Sequence, residues 1–98
     1  MAPSVTHNVD ASRFEIAVDG RVAECAYRRQ GDLLVLHHTE VPPALRGQGL
    51  AARLVQAALA FAREQQLRVR PGCSYVATYM RRHPETQDLL EGPKKPLP

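Results

Sequence analysis

The chain has 98 residues, of which 44% are apolar and 23% are charged, a composition typical of one folded globular domain and not of a disordered chain. Its apolar runs fall well short of the ~20 residues that a membrane-spanning helix needs, and no hydrophobic signal-peptide segment opens the sequence. We therefore expect a cytoplasmic protein with no membrane partner. The net charge of +3 suits an anionic partner, whether a nucleotide, a nucleic acid or an acidic protein surface.

The two cysteines, Cys25 and Cys73, are too few and too far apart for a disulfide framework or a zinc site. No Cys-x-x-Cys or His-x-x-x-His pairing accompanies them. We therefore expect two free thiols and no bound metal, with Cys25 in the core.

The first half of the chain has the pattern of a β-meander. Apolar and polar residues alternate over Phe14–Val18, a second strand is predicted over Val22–Tyr27, and Asp19-Gly20 between them is a strong hairpin signal. The continuously apolar Leu33–Leu36 predicts a central strand covered on both faces, which continues to Val41.

The second half begins with a helical pattern. From Gly49 onward, apolar residues recur with the period of a helix, and a short strand over Leu67–Arg70 follows. Strand, helix and strand in this order predict a crossover between two parallel strands. A shorter helix over Ser74–Arg82 and a helical turn over Pro84–Leu90 complete the pattern.

These elements predict an α+β fold: a mixed, mainly antiparallel sheet with one strand-helix-strand parallel crossover and short C-terminal helices. Residues 1–98 are expected to form a single compact domain, loose at about residues 1–11 and 92–98. Within the first of these segments, Thr6–Val9 is the part that can order against the sheet.

The most informative stretch is Arg46-Gly47-Gln48-Gly49-Leu50-Ala51, where a strand gives way to the long helix. Glycine lets backbone N–H groups approach an anion with no Cβ in the way, and the first turn of a helix leaves about four N–H groups unpaired. These donors, together with the positive end of the helix dipole, favour a diphosphate.

Four interpretations of this stretch compete. It is a plain glycine turn into a helix, or a dinucleotide site, since Gly47-x-Gly49-x-x-Ala52 formally fits that fingerprint. The fingerprint expects an acidic residue about 20 positions later, where this chain has Arg68 and Arg70. A nucleoside-triphosphate loop fails because no Gly-Lys-Ser/Thr follows. The fourth interpretation is the pyrophosphate loop of an acetyltransferase family.

Arg46-x-x-Gly49-x-Ala51 fits every specified position of Gln/Arg-x-x-Gly-x-Gly/Ala, the pyrophosphate loop of the Gcn5-related N-acetyltransferases. His38-Thr39-Glu40-Val41-Pro42 before it and Pro71-x-Cys73-x-Tyr75-Val76 after it resemble a small branch of that superfamily. Members of the branch are short, acetyltransferase-like proteins with a cysteine after the last strand. The resemblance covers about residues 14–90.

The resemblance implies that the chain binds acetyl-CoA, with the diphosphate on the backbone amides of the loop. In this family a backbone N–H on the strand before the loop can polarise the thioester carbonyl, and Val41 has the matching position. The implied coenzyme A-binding residues are Val41, Arg46, Gly47, Gln48, Gly49, Leu50 and Ala51. Arg53, Arg81 and Arg82 either meet the other phosphates or form a solvated face.

Acetyl transfer to an amine needs a base, because the attacking amine must be neutral. His38 and Glu40 end the strand beside the implied site, and alternation places them on the same side of it. The alternative is that His37 and His38 are strand-end residues with ordinary hydrogen bonds and that Glu40 is exposed. A tyrosine on the second helix is the general acid in many members, which implies that role for Tyr79 and leaves Tyr75 to the core.

Cys73 directly precedes the second predicted helix, a location that favours the thiolate. Three roles stay open for it. It takes the acetyl group and passes it on, with His38 as its partner; it lines the acetyl pocket without reacting; or it is a buried, small apolar residue.

The predicted function is transfer of an acetyl group from acetyl-CoA to an unidentified amine, by a monomer. The acceptor is a protein lysine, an N-terminus or a small amine. The chain is shorter than typical members and is expected to lack the N-terminal strand and helices that wall the acceptor site, which leaves the acceptor open.

Two alternatives to this function are a coenzyme A-binding protein without catalysis and a basic nucleic-acid-binding module. The second is less favoured, because the chain has only five aromatic residues and no interleaving of basic and aromatic residues.

Overall fold

The structure is a computed structural model that describes residues 3–91. It contains five strands and two α-helices, joined by short turns and two 3-10 helices at Pro43–Leu45 and Pro84–Leu89. None of the helices within this range is long and apolar enough to cross a membrane. In chain order the elements are β1 (Thr6–Asn8), β2 (Arg13–Val18), β3 (Arg21–Gln30), β4 (Leu33–Glu40), α1 (Leu50–Glu64), β5 (Arg68–Pro71) and α2 (Ser74–Arg82).

The five strands form one sheet in the order β1-β2-β3-β4-β5. The first four strands are antiparallel, as a meander requires, and β4 pairs with β5 in parallel. A parallel pair needs a crossover between its strands, and α1 provides it. The predicted fold class, a mixed and mainly antiparallel sheet with one strand-helix-strand crossover, is confirmed.

Two strand predictions need correction. β3 runs to Gln30 and not to Tyr27, because residues 28–30 pair with Leu33–Val35 across a turn at Gly31. Residues 6–8 are not loose, since they pair with β2, as expected for Thr6–Val9. The structure therefore has an N-terminal strand, whereas the chain was expected to lack the one that walls the acceptor site. The loose tail predicted over residues 92–98 lies outside the described residues.

The hydrophobic core lies on one face of the sheet, under both helices. Alternation along β2 and β3 sends every second side chain to this face, where the helices add the apolar stripes that their sequences predict. Leu34, Val35 and Leu36 are all buried, as the continuous apolar run of the central strand predicts. The largest fully buried side chains are Ile16, Leu34, Leu36, Leu54, Met80, Val55, Val69, Val76 and Cys25.

A β-bulge interrupts the alternation of β4 at His37. Leu36 pairs with Tyr27, whereas the next residue of β3, Ala26, pairs with His38, so that His37 is the extra residue. One extra residue reverses the faces to which the following side chains point. After the bulge, the side chains of β4 therefore alternate between the two faces of the sheet in the opposite order from those before it.

His7 attaches the short strand β1 to the core. Its ring stacks on Phe14 at 4.1 Å and meets Phe61 edge-on at 4.7 Å. His7 Nε2 lies 2.6 Å from the Tyr27 hydroxyl. Burial lowers the pKa of His7, because its protonated form loses water in this environment.

Replacement of His7 by Phe should weaken the dependence of stability on pH. Since the folded state lowers the pKa of His7, the stability from its neutral ring is present above about pH 6.5, the unfolded value. It is lost as the pH falls through that value. Urea unfolding between pH 7.5 and pH 5 checks this: His7→Phe should lose less stability than the wild type, and equal losses would contradict it.

Candidate functional site

The segment between β4 and α1 is held in a conformation that only glycine adopts easily. The 3-10 helix at Pro43–Leu45 leads to Arg46, and Gly47 and Gly49 follow with φ of +85° and +72°. A side chain at either glycine would be strained in this left-handed region. A Cβ placed there would meet no atom within 4 Å, so the loop backbone borders open space.

The first turn of α1 keeps its backbone donors available. Gly49 is the N-cap residue and has no side chain to accept a hydrogen bond, and the turn contains no acidic residue. Residues at this position usually satisfy one of the first N–H groups with a side-chain oxygen. Here those N–H groups and the positive end of the helix dipole are open to an external anion.

Arg46 connects this loop to the end of β4. Its Nε donates a hydrogen bond of 3.1 Å to the carbonyl oxygen of Val41. Leu45 and Leu50, on either side of the loop, are buried and anchor it to the core. The open amides are therefore positioned by buried neighbours and by the Arg46 hydrogen bond.

An open cavity of about 160 Å³ lies beside this loop. Its walls are mainly apolar, apart from the loop backbone and Arg46, and one wall comes from α2. The lining residues are Val41, Leu45, Arg46, Gly47, Gly49, Leu50, Ala51, Ala52 and Tyr75.

The two tyrosines of α2 have the reverse of the expected environments. Tyr75, predicted to be a core residue, is 40% exposed and lines the cavity. Tyr79, the predicted general acid, is 8% exposed and stacks on His83 at 3.9 Å. Tyr79 therefore lies in the core, whereas Tyr75 lies beside the loop. Burial raises the pKa of Tyr75, which keeps its phenol protonated near neutral pH.

Cys73 is the N-cap residue of α2, as its position before a helix predicts. Its Sγ lies 3.3 Å from Thr39 Oγ1, at the end of β4. Thr39 also contacts the fully buried Cys25, at 4.0 Å. Thr39 was not among the predicted site residues, although the resemblance included it in the His38-Thr39 pair.

His38 and Glu40 form a pair on the opposite face of the sheet. His38 Nε2–H donates to Glu40 Oε1 at 3.1 Å, which confirms that both side chains lie on one side of β4. Glu24 lies 4.0 Å from the same nitrogen. The bulge at His37 accounts for this placement, because it turns Thr39 toward the helices and the residues beside it away from them.

The structure does not bring Cys73 and His38 together, as the predicted covalent route would require. The thiol packs against the core on the helix side of the sheet, and its hydrogen-bond partner is the Thr39 hydroxyl. The imidazole lies on the other side with Glu40.

The remaining predicted residues are polar side chains around the loop and on α2. Gln48 is exposed in the loop, and Arg53, one turn into α1, is half-buried. Arg81 and Arg82 are exposed, and Arg81 hydrogen-bonds Thr78 on its own helix. Arg81 and Arg82 therefore lie on a solvated face of α2.

Comparison with known protein families leads to the same family as the loop motif. The model of a family described as GCN5-related N-acetyl-transferase matches residues 13–89. The chain belongs to the GCN5-related N-acetyltransferase family. Members of this family generally use acetyl-CoA and an amine acceptor, and the resemblance drawn from the loop motif is confirmed.

Individual family relatives are similar over most of their length. Protein NATD1 of Mus musculus is 36% identical over 88 residues, which cover 87% of this chain and 80% of the relative. Protein NATD1 of Homo sapiens is also 36% identical, with 78% of its length covered. The NMR solution structure of a Staphylococcus aureus protein described as GCN5-like superposes with a TM-score of 0.73 at 26% identity, over 95% of this chain and 92% of the other.

The two thiols should differ in their reaction with iodoacetamide. Cys25 is fully buried, and burial raises its pKa to about 11, whereas Cys73 is partly exposed. Since the thiolate is the nucleophile, native protein at pH 8 should be labelled at Cys73 about tenfold or more faster than at Cys25. Peptide mass spectrometry checks this, with urea-unfolded protein as the control in which both react. Equal native rates would contradict the structure.

Proposed function

We propose that the protein binds acetyl-CoA at the loop between β4 and α1 and transfers the acetyl group to an amine. The observation that carries the proposal is the uncapped N-terminus of α1, which two glycines with positive φ leave open beside an apolar cavity. Anionic phosphate groups are stabilised at such helix ends by unpaired N–H donors and by the helix dipole.

The cavity composition suits the remainder of a coenzyme A molecule. Val41, Leu45 and Leu50 supply apolar surface next to the amides, which fits an extended and largely apolar pantetheine arm. The guanidinium of Arg46 adds a positive charge at the same place. The N–H of Val41 is the proposed donor to the thioester carbonyl, where a preorganised donor stabilises the oxyanion that develops.

The pair of His38 and Glu40 is the proposed base for the acceptor amine. Because Nε2–H donates to the carboxylate, Nδ1 is the ring nitrogen that can accept a proton. Both side chains are exposed at the end of β4, on the face away from the helices. An amine that approaches from that face can therefore give its proton to Nδ1 of His38.

Tyr75 takes the proposed role of acid to the leaving thiolate, in place of Tyr79. It is the tyrosine that lines the cavity, and its pKa is raised by burial, so it carries its proton near neutral pH. A protonated phenol beside the departing sulfur can supply the proton that the sulfur gains.

Direct transfer is the route that the position of Cys73 favours. A cysteine that accepts an acyl group needs a base to take its proton, and the hydrogen-bond partner of Cys73 is a hydroxyl. In this route Cys73 keeps its hydrogen bond to Thr39 at the end of β4 and forms no bond to the acetyl group.

A nucleic-acid-binding function has less support. Arg13, Arg63 and Arg70 each form an ion pair with a carboxylate of the same chain. Phosphate-backbone binding draws on unpaired lysines and arginines, so these pairs reduce the basic surface that a nucleic acid could use.

Substitution of Gly49 tests whether the loop binds the diphosphate, and a control variant accounts for the strain that a side chain causes at any glycine with a positive φ. Gly49→Val places a branched side chain in the open space where we propose the diphosphate, and should weaken acetyl-CoA binding about tenfold or more, as measured by calorimetry. Gly20→Val is the matched control, because Gly20 also has a positive φ, +78°, and open surroundings, but lies in the β2–β3 turn. It should keep the wild-type affinity.

Two results would contradict this placement. Equal affinities in the two variants would show that the loop does not hold the diphosphate. Absence of acetyl-CoA binding by the folded wild type would overturn the function, whereas binding without acetyl transfer to any tested amine would favour the non-catalytic alternative.

Loss of the Cys73 thiol tests the route of transfer. Because the open amides belong to α1 and Cys73 belongs to α2, Cys73→Ala should bind acetyl-CoA within about threefold of wild type. Intact-mass measurement after incubation with acetyl-CoA should show no acetyl group on Cys73 of the wild type. A stable acetyl group there that Cys73→Ala lacks would establish the covalent route instead.

A further inference from the structure

A second and larger cavity, of about 410 Å³, lies at the other end of α1. Phe61 lines it from the helix and Gln65 from the C-cap position directly after it, while His7 and Tyr27 line it from β1 and β3. Twelve or more helical residues separate it from Gly49, which at about 1.5 Å per residue is roughly 20 Å. The cavity is therefore distinct from the coenzyme A loop, and its volume falls within the range of small-molecule sites.

Aromatic rings form the floor of this cavity. His7 meets Phe61 edge-on at 4.7 Å, and the rings of Tyr27 and Phe61 lie 6.3 Å apart at an angle of 29°. The polar atoms of His7 and Tyr27 satisfy one another across 2.6 Å. A ligand in contact with these rings meets their faces and edges and few free hydrogen-bond donors. The rings therefore favour a flat, apolar ligand.

Arg29 places a positive charge at the rim of the same cavity. It follows Tyr27 by two positions on β3, and alternation puts both side chains on the helix face of the sheet. Within residues 3–91, the ion pairs of the structure do not include Arg29. A guanidinium presents a planar fork of donors that matches a carboxylate.

We propose that this cavity binds a small, planar aromatic carboxylate. The ring system of the ligand lies against His7, Tyr27 and Phe61, and its carboxylate pairs with Arg29. Ser12 and Gln65 line the cavity as well and offer further hydrogen bonds to polar substituents. The proposal does not depend on the acetyl transfer proposed above, because it rests on different residues at the opposite end of α1.

The test is a titration of the folded 98-residue chain with 1-naphthoate, monitored by backbone amide chemical shifts. We expect saturable shifts at His7, Phe61 and Gln65, with a smaller response near Gly49. Arg29→Gln should weaken binding about tenfold or more, because it removes the charge that pairs with the carboxylate.

Arg28→Gln is the matched control. Arg28 is the neighbour of Arg29 and is also exposed. It pairs with Val35, so its side chain points to the other face of the sheet. This variant should bind 1-naphthoate like the wild type. The neutral analogue 1-naphthamide should bind the wild type about as weakly as 1-naphthoate binds Arg29→Gln.

Three results would overturn the proposal. The first is the absence of saturable shifts at the cavity residues, and the second is an equal loss of affinity in the two arginine variants. The third is displacement of 1-naphthoate by coenzyme A, which would place it at the other site. Acetyl-CoA titration of the same samples reports separately on the coenzyme A loop, so failure at one site is distinguishable from failure at the other.

Discussion

The parallel pairing of β4 with β5 is the constraint on which the site depends. Two neighbouring parallel strands cannot be joined by a tight turn, so the chain must pass over one face of the sheet between them. The helix α1 forms this connection. The crossover brings the N-terminus of α1 next to the end of β4. The unpaired amides of the helix, the Val41 carbonyl that holds Arg46 and the apolar cavity walls all follow from this single arrangement.

The bulge at His37 then divides the chemistry of the strand end between two faces. Thr39 and Cys73 lie on the helix side, while His38 and Glu40 lie on the other. In the proposed reaction, the acetyl donor therefore binds on the helix side of this strand end, and the acceptor amine loses its proton on the opposite side. The division also explains why a thiol and an imidazole near each other in the predicted site do not meet in the structure.

The sequence was informative wherever a local rule determines the structure. Asp19-Gly20 predicts the hairpin, the helical period after Gly49 predicts α1, and the glycine spacing predicts the loop that borders the cavity. Other features depend on tertiary packing. Whether Tyr75 or Tyr79 faces the core depends on how α2 rotates against its neighbours, and one residue of bulge in β4 has no local signal. The second cavity is likewise invisible in the sequence, since its walls come from segments far apart in the chain.

The most direct test of the central claim is the response of individual backbone amides to coenzyme A. If the N-terminus of α1 holds the diphosphate, the largest amide shifts during the titration should fall on Gln48, Gly49, Leu50 and Ala51. Pantetheine, which lacks the diphosphate, should shift these amides much less than coenzyme A does. Shifts concentrated elsewhere in the chain, or loop shifts of equal size with pantetheine, would contradict the account.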